Sequence, residues 1–266
     1  MIYLKTEEEI ELLRRANLLV SATLTEIAKV VRPGVTTRQL DTLAEQFIRD
    51  NGAVPTFKGF PAGISGAEPF PASICTSVNN VVIHGIPDDT PLKDGDIVSV
   101  DCGTYIDGFC GDSCYTFCVG EVSDEVKRLL RTTKESLYKG IAEACCGHRL
   151  GDIGFAVQQH CEAQGYGVVR EFVGHGIGHE MHEDPAVPNY GKRGSGKQLK
   201  NGLCIAIEPM ITAGSPEIAL LPDRWGITTR DYKPAAHFEH SIAIHNGKAD
   251  ILSTFETIEA VEGKLY

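Results

Sequence analysis

Residues 96–118 read DIVSVDCGTYIDGFCGDSCYTFC, and the fold turns on how this stretch is read. Val98, Val100 and Ile106 before Asp107-Gly108, and Phe109, Tyr115, Phe117 and Val119 after it, bring the β-branched and aromatic side chains that suit a pleated sheet. Asp-Gly is the strongest short hairpin signal, because a type I′ turn needs positive φ at both central residues. With that pair as the loop, Ile106 pairs with Phe109 and Gly103 lies opposite Asp112. Asp101 sits two residues further along the first strand and projects from the same face as Asp112. Diagonal neighbours of this kind are roughly 7–8 Å apart, a reach at which two carboxylates can grip a pair of cations. Buried without cations they would repel and shift each other's pKa. Two aspartates solvated on an open sheet face are the other reading, and the hairpin alone does not choose.

The chain has 266 residues, enough for a full core in one large domain or two small ones. A hydrophobic fraction of 42% and a charged fraction of 23% are those of an ordinary soluble globular protein. The net charge of −11 and the pI near 5.3 argue against broad binding to nucleic acid or anionic membrane. The start, MIYLKTEEEIELLRRAN, is charged and helical and lacks the pattern of a signal peptide. No run approaches the ~18 apolar residues that would span a membrane. Nine cysteines without CxxC spacing read as free thiols of a reducing cytosol, which places the protein in the cytoplasm.

Thr6-Glu7-Glu8-Glu9 is a capping box that opens a helix with Ile10, Leu13, Ala16, Val20, Leu24 and Ile27 at helical spacing. Arg32-Pro33-Gly34 ends it, and Thr36 opens a second helix that closes at Asn51-Gly52. A Pro- and Gly-rich loop runs from Pro55 to Ser73. Ser123 caps a third helix to about Ala144, and Gly151-Asp152 leads a fourth to about Gln164. Strands are expected near 73–78, 168–173, 203–207, 218–221, 238–244 and 251–255. Helices, hairpin, helices and then strands give an α+β fold rather than alternating βαβ units, in a single domain over 1–266.

Residues 172–185 read FVGHGIGHEMHEDP, with His175, His179 and His182 set among glycines just after a strand. Glycines permit close backbone approach to a bound group, and histidine is a common metal ligand and proton carrier. The second His follows His179-Glu180 one residue too early for the zincin H-E-x-x-H. Glu208 ends the apolar run 203–207 and precedes Pro209. A carboxylate closing a buried strand must find a charged partner or lose its charge. Glu239 shares a strand face with Ser241 and Ala243, small residues that leave room beside it. Each of these glutamates, taken singly, also fits a solvent-facing position. Together Asp101, Asp112, His175, Glu208 and Glu239 make an oxygen-rich set suited to two divalent transition ions.

At this point the chain resembles the type I methionine aminopeptidases, a branch of the pita-bread metallopeptidases. The matching words are VDCG at 100–103, GD at 111–112, GHGIG at 174–178, HEDP at 182–185, IEPM at 207–210 and FEHS at 238–241, with HGIP at 84–87. The resemblance runs from the first helix to Ile251. It implies the pita-bread fold, an antiparallel sheet in pseudo-two-fold halves covered by helices. It also implies a two-metal hydrolase, using Co, Mn, Fe or Zn, that removes methionine from nascent N-termini ahead of a small second residue. By resemblance Asp101 chelates one metal, Asp112 and Glu239 bridge both, and His175 with Glu208 holds the second. Glu208 also shuttles a proton, while His84 and His182 contact the scissile amide. Cys75, Trp225, Met181 and Phe70 map to the methionine pocket. The 31 positions between Glu208 and Glu239 exclude the type II insertion, and a start almost directly at the catalytic half sets the chain apart from proline-specific relatives. An Xaa-Pro peptidase and a non-catalytic binding module of the same fold are the alternatives.

One departure from the family concerns Phe60-Pro61, which is followed by about eight extra residues, 62–69, before a second Phe70-Pro71. The insertion falls in a loop lining the pocket. Residues 191–197, GKRGSGK, have phosphate-loop spacing, but Gln198 stands where Ser or Thr should be and no strand precedes them. Lys192, Arg193, Lys197 and Lys200 concentrate positive charge there, which fits transient docking to the ribosome. No other partner is expected, and the protein is read as a monomer.

Overall fold

The computed structural model describes residues 1–63 and 66–263. Helices α1 (Glu7–Ala28) and α2 (Thr37–Asp50) come first, followed by strands β1 (Val54–Pro55), β2 (Ile74–Val78), β3 (Val81–Ile83), β4 (Ile97–Ile106) and β5 (Phe109–Cys118). Helices α3 (Asp124–Glu143) and α4 (Leu150–Ala163) then precede β6 (Gly167–Val168), β7 (Gly174–Gly176), β8 (Glu183–Val187), β9 (Cys204–Ile207) and β10 (Met210–Thr212). The remainder comprises β11 (Ile218–Leu220), β12 (Ile227–Thr229), β13 (Ala235–His237), β14 (His240–His245), β15 (Lys248–Ile251) and α5 (Glu256–Glu262).

The hairpin forms in the expected register. Ile106 pairs with Phe109 and Gly103 with Asp112, and Asp107 and Gly108 have φ of +53° and +88°. All ten residues of β5 are buried, so the open-sheet reading of its aspartate falls away. On the other edge of β4 lie β2, with Cys75 opposite Asp101, and the short β1. A five-stranded antiparallel sheet, in the order β15-β14-β9-β7-β8, positions the remaining metal-ligand candidates: His175 lies on β7, Glu208 follows β9 and Glu239 precedes β14.

Helix α1 begins at the expected capping box: the Thr6 hydroxyl accepts from Glu9 N–H and the Glu9 carboxylate accepts from Thr6 N–H. Its apolar stripe, Leu13 to Ile27, lies on the hairpin. The approach is so close that a Cβ at Gly111 would stand 2.5 Å from the Ala16 carbonyl carbon. Glycine is therefore required at Gly111, directly beside Asp112. Helix α3 covers the other side, where Gly140 lets it settle between Val157 of α4 and Ile207 of β9.

Two strand expectations shift. The run 168–173 pairs only over Gly167–Val168; Val169 then donates to the Met210 carbonyl, and Arg170 and Glu171 turn to the surface. The segment 251–255 is the last residue of β15 followed by the irregular lead to Phe255, the N-cap of α5, and it pairs only through Ile251 opposite Ile242.

Candidate metal centre

Strands bring most of the candidate ligands together. Asp101 and Asp112 come from β4 and β5, His175 from β7, Glu208 from the residue after β9, and Glu239 from the two-residue break between β13 and β14. Ligand atoms of Asp112, His175 and Glu239 all lie within 4.8 Å of one another. His175 Nε2 is 3.5 Å from Asp112 Oδ2 and 3.7 Å from Glu208 Oε1. Asp101 lines the same cavity, and its charge acts on both Glu208 and Glu239.

The edge strand β5 is held by side chains where it has no strand neighbour. Asn17, fully buried in the middle of α1, accepts the Asp112 N–H at 3.1 Å. From the opposite direction Ser241 Oγ donates to the Asp112 carbonyl at 2.9 Å. Glu239 is tied to the same strand: its N–H donates to the Cys114 carbonyl and its carbonyl accepts from Ser113 Oγ. Both acidic residues thus have their backbones fixed on either side of the side chain that matters.

The electrostatics ask for cations. Burial pushes the carboxyls of Asp101, Glu208 and Glu239 well above the usual range, and the neighbouring carboxylates add to it. Asp112 is raised to about 8 by burial. Asp101 Oδ1, Asp112 Oδ1 and Glu239 Oε1 are buried with no hydrogen-bond partner, although a buried acceptor normally has one. The His175 ring supports the same conclusion. A carbonyl can only accept, so Nδ1–H donates to the Gly176 carbonyl at 2.9 Å and the Nε2 lone pair is turned toward the carboxylates. Burial lowers the pKa of His175 to about 4, which keeps the ring neutral and free to ligate. Orphaned carboxylate oxygens around one neutral imidazole fit divalent transition ions.

Above the carboxylates is a cavity of about 490 Å³. His84 and His182 stand on its walls, His182 4.3 Å from the His175 ring centroid and in edge contact with Phe60. His84 has φ +58°, a conformation unusual for a side-chain-bearing residue and typical of functional sites. Its ring meets Phe172 at 5.7 Å and Trp225 at 6.5 Å. Cys75, Phe70 and Trp225 line the cavity as expected. Phe70 packs edge-on against Trp225 at 5.1 Å, and Trp225 Nε1–H donates to the Glu68 carbonyl at 3.0 Å. The segment 62–69 is pinned to the aromatic wall by that bond at Glu68; its positions 64 and 65 lie outside the described residues. Met181 does not line the cavity. It is buried in the cluster of Ile10, Leu13 and Ile177, where its Cε would be 2.2 Å from a Cβ at Gly103, and Phe57 and Phe60 rest against that cluster. The missing side chain of Gly103 makes the room that Met181 fills.

Sequence reasoning missed two further residues here. Fully buried Asn189 donates from Nδ2 to the Glu208 backbone carbonyl. His237, 2% exposed, has an unpartnered Nε2 3.8 Å from Glu208 Oε2. The alternation that put Ser241 and Ala243 on the face of Glu239 reaches His237 when counted backwards, and that was the available signal.

Comparison with known proteins follows the same lines. The model of metallopeptidase family M24 matches residues 11–246. Methionine aminopeptidase of Clostridium perfringens is 49% identical over 253 residues, 95% of this chain and 99% of that protein. Methionine aminopeptidase 1 of Bacillus subtilis is 47% identical over 253 residues, again 95% and 99%. The crystal structure of methionine aminopeptidase from Rickettsia prowazekii superposes with a TM-score of 0.92 at 41% identity, covering 96% of this chain and 100% of that one. Prolidase from Pyrococcus furiosus superposes with a TM-score of 0.75 at 20% identity, covering 95% and 66%, a likeness of fold alone.

Proposed function

We propose that this chain, which belongs to metallopeptidase family M24, is a metallo-aminopeptidase that removes the N-terminal methionine from new polypeptides. The observation that carries this reading is the convergence of Asp112, His175 and Glu239 within 4.8 Å beneath an aromatic-walled cavity. The whole of 1–266 acts as one catalytic domain. Asp101, Asp112, His175, Glu208 and Glu239 would hold two divalent ions. Such ions polarise a carbonyl and lower the pKa of water.

The chain's own groups do the rest. Cys75, Phe70 and Trp225 take the methionine side chain in a pocket of aromatic and sulfur surface, which suits a thioether. His182, open at the cavity mouth, and His84, on the opposite wall, bind the scissile amide and orient it. Burial, with a smaller contribution from His182, lowers the pKa of His84 to about 4, so this ring offers a neutral N–H near neutral pH. Glu208 carries the proton from the attacking water to the departing amine. Preference for a small second residue follows from the crowding of His182 by Phe60 and His175 at the mouth.

Finer points of the setting belong to the same proposal. Nine free thiols, seven of them buried, accord with a reducing compartment, and we place the enzyme in the cytoplasm as a monomer. Among the described residues no helix is long and apolar enough to cross a membrane. Exposed Lys192, Arg193, Lys197 and Lys200 suit transient docking on ribosomal RNA; their charge reversal should abolish salt-dependent ribosome binding.

Metal-loaded protein given Met-Ala-Ser, Met-Lys-Ser and Ala-Pro-Ser tests the activity. Release of methionine from Met-Ala-Ser alone, lost in Glu208→Gln, is the expected result. Cleavage of Ala-Pro-Ser instead would move the protein to the proline-specific branch of the fold.

A further inference from the structure

The cavity above the carboxylates continues past its rim. Asp184 and Ala186 line it, and both also line a second cavity of about 320 Å³ with Pro188, Tyr190 and Ser195. Lys197 lines that second cavity and a third of about 430 Å³, whose walls include Leu4, Arg149 and Lys200. Three cavities therefore share wall residues end to end: β8 residues join the first to the second, and Lys197 joins the second to the third.

Strand β8 is the last in its sheet: β7 pairs with it on one side and no described strand pairs with it on the other. Its Pro185 has no N–H to offer a neighbour, as suits an edge position. Ala186 is exposed on that edge, in the wall common to the first cavity and the second. The exposed Met1 ammonium pairs with Asp184 at this junction, a contact too solvated to bar the way.

An aminopeptidase must take its substrate by the N-terminus while the remainder of the polypeptide leaves over the rim. Resting on the aminopeptidase reading above, we infer that the downstream segment of the substrate lies extended over the outer edge of β8 at Asp184 and then continues past Tyr190 to Lys197. The five residues of β8 span about 16 Å at about 3.3 Å each, room for about five substrate residues beyond the scissile bond before the segment reaches Lys197. Main-chain contact with a strand edge accepts any sequence, while the pockets beside it favour particular side chains. Pro188 and Tyr190 favour an apolar residue in the second cavity. Lys197, with Arg149 and Lys200 beyond it, favours an acidic one after that. The ligand class is an extended polypeptide with an apolar residue followed by an acidic residue.

Steady-state kinetics on the metal-loaded enzyme test the inference with Met-Ala-Ser and two nonapeptides, Met-Ala-Ser-Gly-Leu-Phe-Asp-Gly-Ser and its counterpart with Lys for Asp. Wild-type enzyme should show a KM for the acidic nonapeptide lower than that for the tripeptide by about tenfold, a step of one hot-spot contact. Ser195→Trp, which fills the second cavity, should remove that advantage and leave tripeptide turnover unchanged. Lys197→Glu should invert the preference between the two nonapeptides. Equal KM values for tripeptide and nonapeptides in the wild type would overturn the inference, as would variants that slow all three substrates alike. Failure to cleave the tripeptide at all would overturn the aminopeptidase reading first, and this inference with it.

Discussion

The floor and the aromatic wall of one cavity are built by different means. On the floor, acidic residues project from paired strands, and the backbones of Asp112 and Glu239 are bonded from two elements at once. The wall is made of Phe57, Phe60 and Phe70 on the connection between β1 and β2, with Trp225 just before β12, and the Phe70–Trp225 ring contact and an Nε1–H bond to Glu68 join its two parts. Chemistry that depends on ligand position is placed on the over-determined part. Recognition of one apolar side chain, which tolerates small shifts, is left to the loops. The contrast teaches where a disturbance should be amplified and where it should be absorbed.

The largest effect should come from removing a chemical group on the floor without disturbing its support. Glu208→Gln keeps the backbone bond from Asn189, and kcat should fall by about 10²–10⁴ with little change in KM, read with Met-Ala-Ser. Next is the support itself. Asn17→Leu preserves size but strips the acceptor from the Asp112 N–H, and metal affinity measured by calorimetry should weaken by about 10–100-fold. Unchanged affinity would mean that the strand needs no side-chain clamp. Gly111→Ala forces a Cβ into the α1 backbone, and the denaturation midpoint should report a loss of about 1–3 kcal/mol. The smallest effect belongs to the wall: Trp225→Phe keeps the ring and deletes the bond to Glu68, and KM should rise by about 2–10-fold at constant kcat, the worth of one hydrogen bond. A change in kcat as large as that of Glu208→Gln would erase the distinction between floor and wall.

How far the sequence could be read follows the same division. The hairpin register was legible because an Asp-Gly turn and strict alternation leave one pairing, and a slip by one would have turned every side chain over. Glu208 was legible as a carboxylate closing an apolar strand, and Glu239 as one sharing a strand face with the small residues Ser241 and Ala243. Asn17 was not, because a side chain that bonds a backbone 95 positions away leaves no periodic trace and resembles a stray polar residue on an apolar helix face. Met181 was placed in the pocket by resemblance to the family alone. Packing decided otherwise, since the space vacated by the missing Gly103 side chain lies in the core behind the wall. The shared rim at Asp184 and Ala186 was equally hidden, being a property of which strand ends the sheet.

On the proposed function, Asp101, Asp112 and His175 on strands and Glu208 and Glu239 beside strand ends hold two ions as one unit. Titration of metal-free protein with manganese, followed by calorimetry and by the paramagnetic resonance signal, tests it most directly. The account predicts two equivalents per chain with spin coupling between them, and at most one uncoupled equivalent in Asp112→Asn. A single equivalent in the wild-type protein, or two retained in Asp112→Asn, would contradict it.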